Sequence, residues 1–151
     1  MIKRIKTDSD NKDFIYLVKL LDEDLAKRDG DDHAYYAQFN KIEKIKSVIV
    51  AYENNKPVGC GALKKYNPDT VEIKRMYTLP EYRGRGIAGG ILTELERWAK
   101  EMNYDKCILE TGKRQPEAIK LYEKNGYKLI PNYDQYSEME NSVCYEKIIN
   151  N

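Results

Sequence analysis

The chain contains a single histidine, His33, in 151 residues, and no histidine–cysteine cluster. A zinc or iron catalytic centre would have to be built from carboxylates alone, so no metal is expected. The three cysteines, Cys60, Cys107 and Cys144, are odd in number and far apart, with no Cys-x-x-Cys pair. That spacing excludes a disulfide framework and reads as reduced thiols in or near a core. An excess of one charge is also missing, since 26 Lys and Arg stand against 25 Asp and Glu. No global field exists to hold nucleic acid or an anionic membrane. No run approaches the ~20 apolar residues of a membrane span, and the opening Met1-Ile2-Lys3-Arg4-Ile5-Lys6 lacks the apolar segment of a secretory signal. The expectation is a soluble, cytoplasmic protein that engages neither nucleic acid nor membrane.

What is present suits one domain over residues 1–151: 41% of residues are hydrophobic and 34% charged, and this length buries enough surface to fold without staples. Ile2 to Lys6 reads as a strand. Phe14, Leu17, Val18, Leu21 and Leu25 form the stripe of an amphipathic helix ending near Gly30, with Asp8 or Asp10 as its cap. His33 to Phe39 is a candidate second helix. Val48–Tyr52 and Val58–Leu63 flank the polar turn Glu53–Pro57 as a hairpin, and Thr70–Thr78 continues it as a third antiparallel strand. Ile87, Ile91, Leu95, Trp98 and Met102 recur at helical spacing, followed by a strand over Tyr104–Glu110. Pro116 suits a first helical turn and Gly126 a left-handed stop, with Ala118, Leu121 and Tyr122 on one face between them. Strands over Tyr127–Ile130 and Ser142–Ile148 close the chain.

The segment Arg83-Gly84-Arg85-Gly86-Ile87-Ala88-Gly89-Gly90 lies between a strand and a long helix. Its amides and the helix N-terminus make an anion site suited to phosphate. The Gly-Lys-Ser/Thr ending of a nucleotide-hydrolysing loop is absent. Gly84-x-Gly86-x-x-Gly89 matches the dinucleotide fingerprint literally, and Glu110 falls where a ribose-binding acid would. Against that reading, Leu79–Arg83 separates the first glycine from its strand, antiparallel hairpins precede the loop, and too little chain follows Glu110 for a second half-sheet. A turn that only lets the helix pack closely on the sheet is the plainest alternative.

Arg83-x-x-Gly86-x-Ala88 also fits the (Q/R)-x-x-G-x-(G/A) loop of the GNAT acetyltransferases, and the likeness extends to Glu72–Arg83 upstream and to Leu109-Glu110-Thr111 and Ala118-Ile119-x-Leu121-Tyr122-x-x-x-Gly126-Tyr127 downstream. From about residue 47 to 130 the chain resembles that family. The resemblance implies an α/β (α+β) fold: a mixed, mostly antiparallel, twisted sheet of about six or seven strands with about four helices, its splayed central strands holding acyl-CoA. It implies acetyl-CoA as cosubstrate, with pyrophosphate on Arg83, Gly84, Arg85, Gly86, Ile87, Ala88 and Gly89 and pantetheine along Met76, Tyr77 and Thr78. Gln115 stands where the family often has asparagine on the cofactor. Tyr122 matches the general acid, and Glu72 the glutamate that some members use as base through a water. Cys107 has no histidine nearby to activate it and is read as core.

The acceptor is expected between the first two helices and the last hairpin. Asp22, Glu23, Asp24, Asp29, Asp31 and Asp32 outnumber Lys27 and Arg28 there, a balance that suits a cationic amine but also a merely solvated face. Asp32, Tyr36 and Tyr133 are candidate acceptor contacts. The expected reaction is acetyl transfer to a primary amine of a small molecule such as an amino acid, polyamine or amino sugar. A protein or peptide amine and a silent acyl-CoA-binding module are the alternatives. Edge strands leave a homodimer open.

Overall fold

In the computed structural model, which describes residues 1–37 and 44–150, the elements run β1 (Ile2–Thr7), α1 (Lys12–Asp29), α2 (His33–Ala37), β2 (Ser47–Glu53), β3 (Lys56–Asn67), β4 (Thr70–Thr78), α3 (Ile87–Glu101), β5 (Lys106–Gly112), α4 (Pro116–Lys124), β6 (Lys128–Ile130) and β7 (Ser142–Ile148). One sheet holds all seven strands in the order β1-β2-β3-β4-β5-β7-β6. Every pairing is antiparallel except β4 with β5. A doubly wound dinucleotide fold is thereby excluded.

Val48, Ile49, Val50 and Ala51 are all wholly buried, which a strand achieves only when both faces are covered. Gly59 and Gly61 of β3 face Ile87, Ile91 and Leu95 of α3 so closely that a Cβ on Gly61 would collide with Leu95 and Met76. Alternation turns Val58, Cys60 and Ala62 to the opposite face, where Phe14, Leu17, Val18 and Leu21 of α1 complete the same core.

The local differences from the sequence expectation have simple causes. α1 is capped by Asn11, whose side chain accepts from the Phe14 amide at 2.9 Å. Asp8 instead accepts from the Asp10 amide at 2.9 Å, closing a turn that makes Asn11 the last non-helical residue. In α3, Leu92 and Ala99 are buried while Met102 lies beyond the helix and is exposed, because a 3.6-residue period drifts off a strict stripe. Gln38 and Phe39, at the end of the expected second helix, lie outside the described residues.

Leu95→Ala should lower unfolding free energy by about 2–5 kcal/mol, since Leu95 is wholly buried against Gly61 and its truncation leaves a cavity in the core. Urea unfolding would register this as a reduced midpoint at unchanged slope; an unaltered midpoint would contradict the packing described.

Candidate active site

β4 and β5 pair for three residues each, Thr70–Glu72 against Lys106–Ile108, and then part. The break coincides with a bulge: the β3–β4 register shifts between Cys60 and Ala62, and Arg75 takes the left-handed value φ 59. An extra residue bends a strand away from its neighbour. A residue with a Cβ is disfavoured there by roughly 1–2 kcal/mol, and contacts from α1 and β3 help to hold it. The Arg75 guanidinium meets Asp22 of α1 at 3.0 Å, and its carbonyl accepts from the Cys60 thiol at 3.3 Å. Among the described residues, β4 from Ile73 to Thr78 therefore has no strand partner on its β5 side, and a cavity of about 430 Å³ fills the gap.

One end of the cavity is the glycine loop. Gly84 and Gly86 have φ 80 and 79, a conformation that glycine alone adopts without strain, and nothing lies within 4 Å of where their side chains would be. α3 begins directly after Gly86 and has no acidic residue in its first turn, so its positive end is left for an anion. The Ile87 side chain is in the core, so its backbone amide is what it has to offer at this end. Arg83 lines the cavity with its Nε donating to the Thr78 carbonyl at 3.0 Å. Arg85 is not brought there: it lies 3.5 Å from Glu53 and over the Tyr82 ring.

The middle is built from Met76, Tyr77 and Thr78, with Gln115 at the start of α4. The Thr78 hydroxyl is buried with no partner among the described residues, and Gln115 makes no side-chain capping bond. Both polar groups suit the amides of a peptide-like arm lying in the gap.

The other end gathers Tyr122, Glu72, Glu110 and Tyr36. Tyr122 is buried, its ring edge-on to Tyr127 at 5.8 Å. Its hydroxyl has no hydrogen-bond partner among the described residues, and burial, reinforced by the Glu110 charge, raises the phenol well above its ordinary range. Glu72 is buried and accepts from the Tyr133 hydroxyl at 2.8 Å, so Tyr133 reaches the cavity through Glu72. Glu110 accepts from the Ser142 hydroxyl at 2.8 Å. Desolvation pushes the Glu110 carboxyl up to about 7; Asp29 and Glu72 add to the rise, while the Ser142 hydrogen bond and Lys74 oppose it.

Sequence reasoning considered Glu110 only as a ribose ligand. The available signal was a carboxylate at the end of a central strand, one strand over from Glu72. Asp32 lies elsewhere, 3.8 Å from Arg114 in a separate open cleft. The acidic run on α1 is largely engaged, Asp22 with Arg75 and Asp24 with Arg28. Cys60, Cys107 and Cys144 are buried and unbridged, and desolvation lifts their thiols to about 12, 12 and 11, where none is a ready nucleophile. Among the described residues no three His, Cys, Asp or Glu side chains group as a metal site, and no helix is long and apolar enough to cross a membrane.

A strand gap bounded by a glycine loop at one end and ionisable groups at the other is the architecture of an acyl-CoA acyltransferase. The chain belongs to the acetyltransferase (GNAT) family, whose profile matches residues 14–127. It is 34% identical over 99 residues to the uncharacterized N-acetyltransferase YsnE of Bacillus subtilis, covering 64% of this chain and 66% of that protein. The chain spans between half and two thirds of the length of YsnE and of two other curated relatives it matches. A Klebsiella pneumoniae structure assigned as an acyl-CoA N-acyltransferase superimposes with a TM-score of 0.81 at 26% identity, covering 99% of this chain and 98% of that one. The fold is shared with the PaiA N-acetyltransferase of Thermoplasma acidophilum, solved with coenzyme A, at a TM-score of 0.71 and 18% identity over 98% and 99% of the two chains.

Glu110 also predicts a stability profile. Its folded value near 7 lies above the ordinary unfolded ~4.3, so its favourable contribution is complete below the unfolded value and is lost as pH rises to about 7. Glu110→Gln should remove that decline, and denaturation midpoints at pH 5 and pH 8 would read it. Identical pH dependence in both proteins would contradict the burial of this carboxylate.

Proposed function

We propose that residues 1–151 form one catalytic domain that transfers an acetyl group from acetyl-CoA to the amine of a small molecule, in the cytoplasm. The observation that carries this reading is the continuous cavity joining an anion-binding loop to a tyrosine hydroxyl and two carboxylates across the β4–β5 gap. A small acceptor is favoured by the closure of that end: the Tyr35 hydroxyl donates to the Gln135 carbonyl, and Tyr36 stacks on Tyr136 at 6.4 Å. This bridge narrows the acceptor chamber, which suits a small molecule better than a polypeptide.

Acetyl-CoA supplies the acetyl group as a thioester. The amides from Gly84 to Gly89 and the Arg83 guanidinium hold its pyrophosphate, and the edge at Met76, Tyr77 and Thr78 that has no β5 partner, with Gln115, takes the pantetheine arm. An ammonium has no lone pair, so the acceptor must lose a proton before it attacks. Glu110 takes that proton, its raised proton affinity matching it to an amine at neutral pH better than an ordinary carboxylate. Glu72, held by Tyr133, faces the same ammonium and orients it. Tyr122 gives its proton to the departing sulfur, and the nitrogen's second proton restores the phenol. Burial makes Tyr122 a weaker acid but makes a thiolate beside it correspondingly more basic.

Thiol release from acetyl-CoA should depend on added small amines. Tyr122→Phe and Glu110→Gln should each lower kcat about a hundredfold or more while leaving acetyl-CoA affinity nearly unchanged, and kcat should rise with pH through about 7. Undiminished turnover in either variant would remove that residue from the chemistry. Gly86→Val, which fills the open side of the loop in a conformation that valine resists, should weaken CoA binding at least about tenfold with the circular dichroism of the fold retained. Unchanged affinity would remove the pyrophosphate assignment.

A further inference from the structure

Glu110 does not stand alone. Its Oε2 accepts from Ser142 at 2.8 Å, and the Ser142 oxygen lies 2.7 Å from the Tyr36 hydroxyl. Ser142 is 2% exposed and Tyr36 5%, so neither hydroxyl can satisfy itself from bulk water. Each hydroxyl has one proton. With Glu110 ionised, Ser142 spends its proton on the carboxylate, and Tyr36 must then donate to Ser142. With Glu110 protonated, every bond in the chain can reverse: the carboxyl donates to Ser142 and Ser142 to Tyr36. The charge state of a carboxylate on β5 is thus relayed through β7 to the short helix α2, on the acceptor side.

We propose that Ser142 and Tyr36 are positioning residues, a hydroxyl chain that aims the Glu110 carboxylate into the chamber and makes proton removal depend on α2 being seated. The proposal rests on the reading of Glu110 as proton acceptor. Two other carboxylates and one ammonium face this region. Asp29 from α1 and Glu72 from β4 discourage ionisation of Glu110, and Lys74 from β4 favours it. Tyr122 of α4, Tyr136 of the turn Asp134–Tyr136 and Cys144 of β7 sense the Glu110 charge but are raised by burial and stay neutral through pH 5–8. The Ser142 bond is the one contact in this set that is both direct and removable without changing a charge.

The test is the pH dependence of kcat, with CoA affinity as the check on folding. Ser142→Ala should move the acid limb upward by about one pH unit, the loss expected for a hydrogen bond to a charged carboxylate. Tyr36→Phe should move it the same way by about half as much, since a donor to Ser142 polarises the bond that Ser142 makes. Ser142→Thr, which keeps the hydroxyl, should restore the limb. A ¹³C titration of the Glu110 carboxyl in the resting protein provides the same comparison without turnover. If the limb and the carboxyl titration of Ser142→Ala coincide with those of the unmodified protein, even at a lower rate, the hydroxyl chain is only structural and the proposal is overturned. If Glu110→Gln keeps the acid limb, it is the assignment of Glu110 itself that fails.

Discussion

A sheet whose strands were all fully paired would leave no room for a ligand, and the site exists because β4 stops pairing with β5 after Glu72. The bulge at Arg75 coincides with that separation. It is held from α1 by Asp22 and from β3 by Cys60, two elements that belong to the core. β4 thus keeps its bonds to β3 while its other edge is released, and unsatisfied backbone groups along a buried strand need a partner. A peptide-like arm can supply one. The position of the glycine loop follows from the same departure, since it lies where the chain leaves β4 and turns into α3.

The two ends of the gap have opposite electrostatics for physical reasons that do not depend on each other. At the loop, the start of α3 and the amides of Gly84–Gly89 offer partial positive charge with little side chain in the way. At the far end, Glu72, Glu110 and Tyr122 are crowded together; the Glu72 charge makes ionisation of Glu110 harder, and the Glu110 charge makes that of Tyr122 harder. Protons there are held tightly and moved by neighbours rather than by bulk water, a setting for transfer between bound groups. The tyrosine layer formed by Tyr36, Tyr136 and Tyr133 covers that end and places the Tyr133 hydroxyl against Glu72.

Much of this could be read before any coordinates. Gly84 and Gly86, the helix that follows them, and the antiparallel hairpins before them depend on local preferences, and local preferences are written in the chain. Tyr122, Glu72 and the loop were placed in one site because their order along the sequence resembles a family pattern, whereas Tyr36 was a candidate only as a tyrosine in a segment on the acceptor side. Residues chosen by tertiary contact were not legible. Nothing local marks Arg85 as turned toward Glu53, or Asp32 as separated from the cavity by its contact with Arg114. Glu110 looked like a strand residue until burial and its neighbours gave it a proton affinity of its own, and Ser142 carried no signal at all. The Asn11 cap depended on a turn geometry that two nearby aspartates obscured.

The most direct measurement is hydrogen exchange at β4 with and without acetyl-CoA. If the unpaired edge between Ile73 and Thr78 is where the pantetheine arm adds as a strand, the amides there that face the gap should exchange more slowly when acetyl-CoA is present, with the amides bonded to β3 protected in both states. Slowing confined to the glycine loop, with β4 unchanged, would contradict the account.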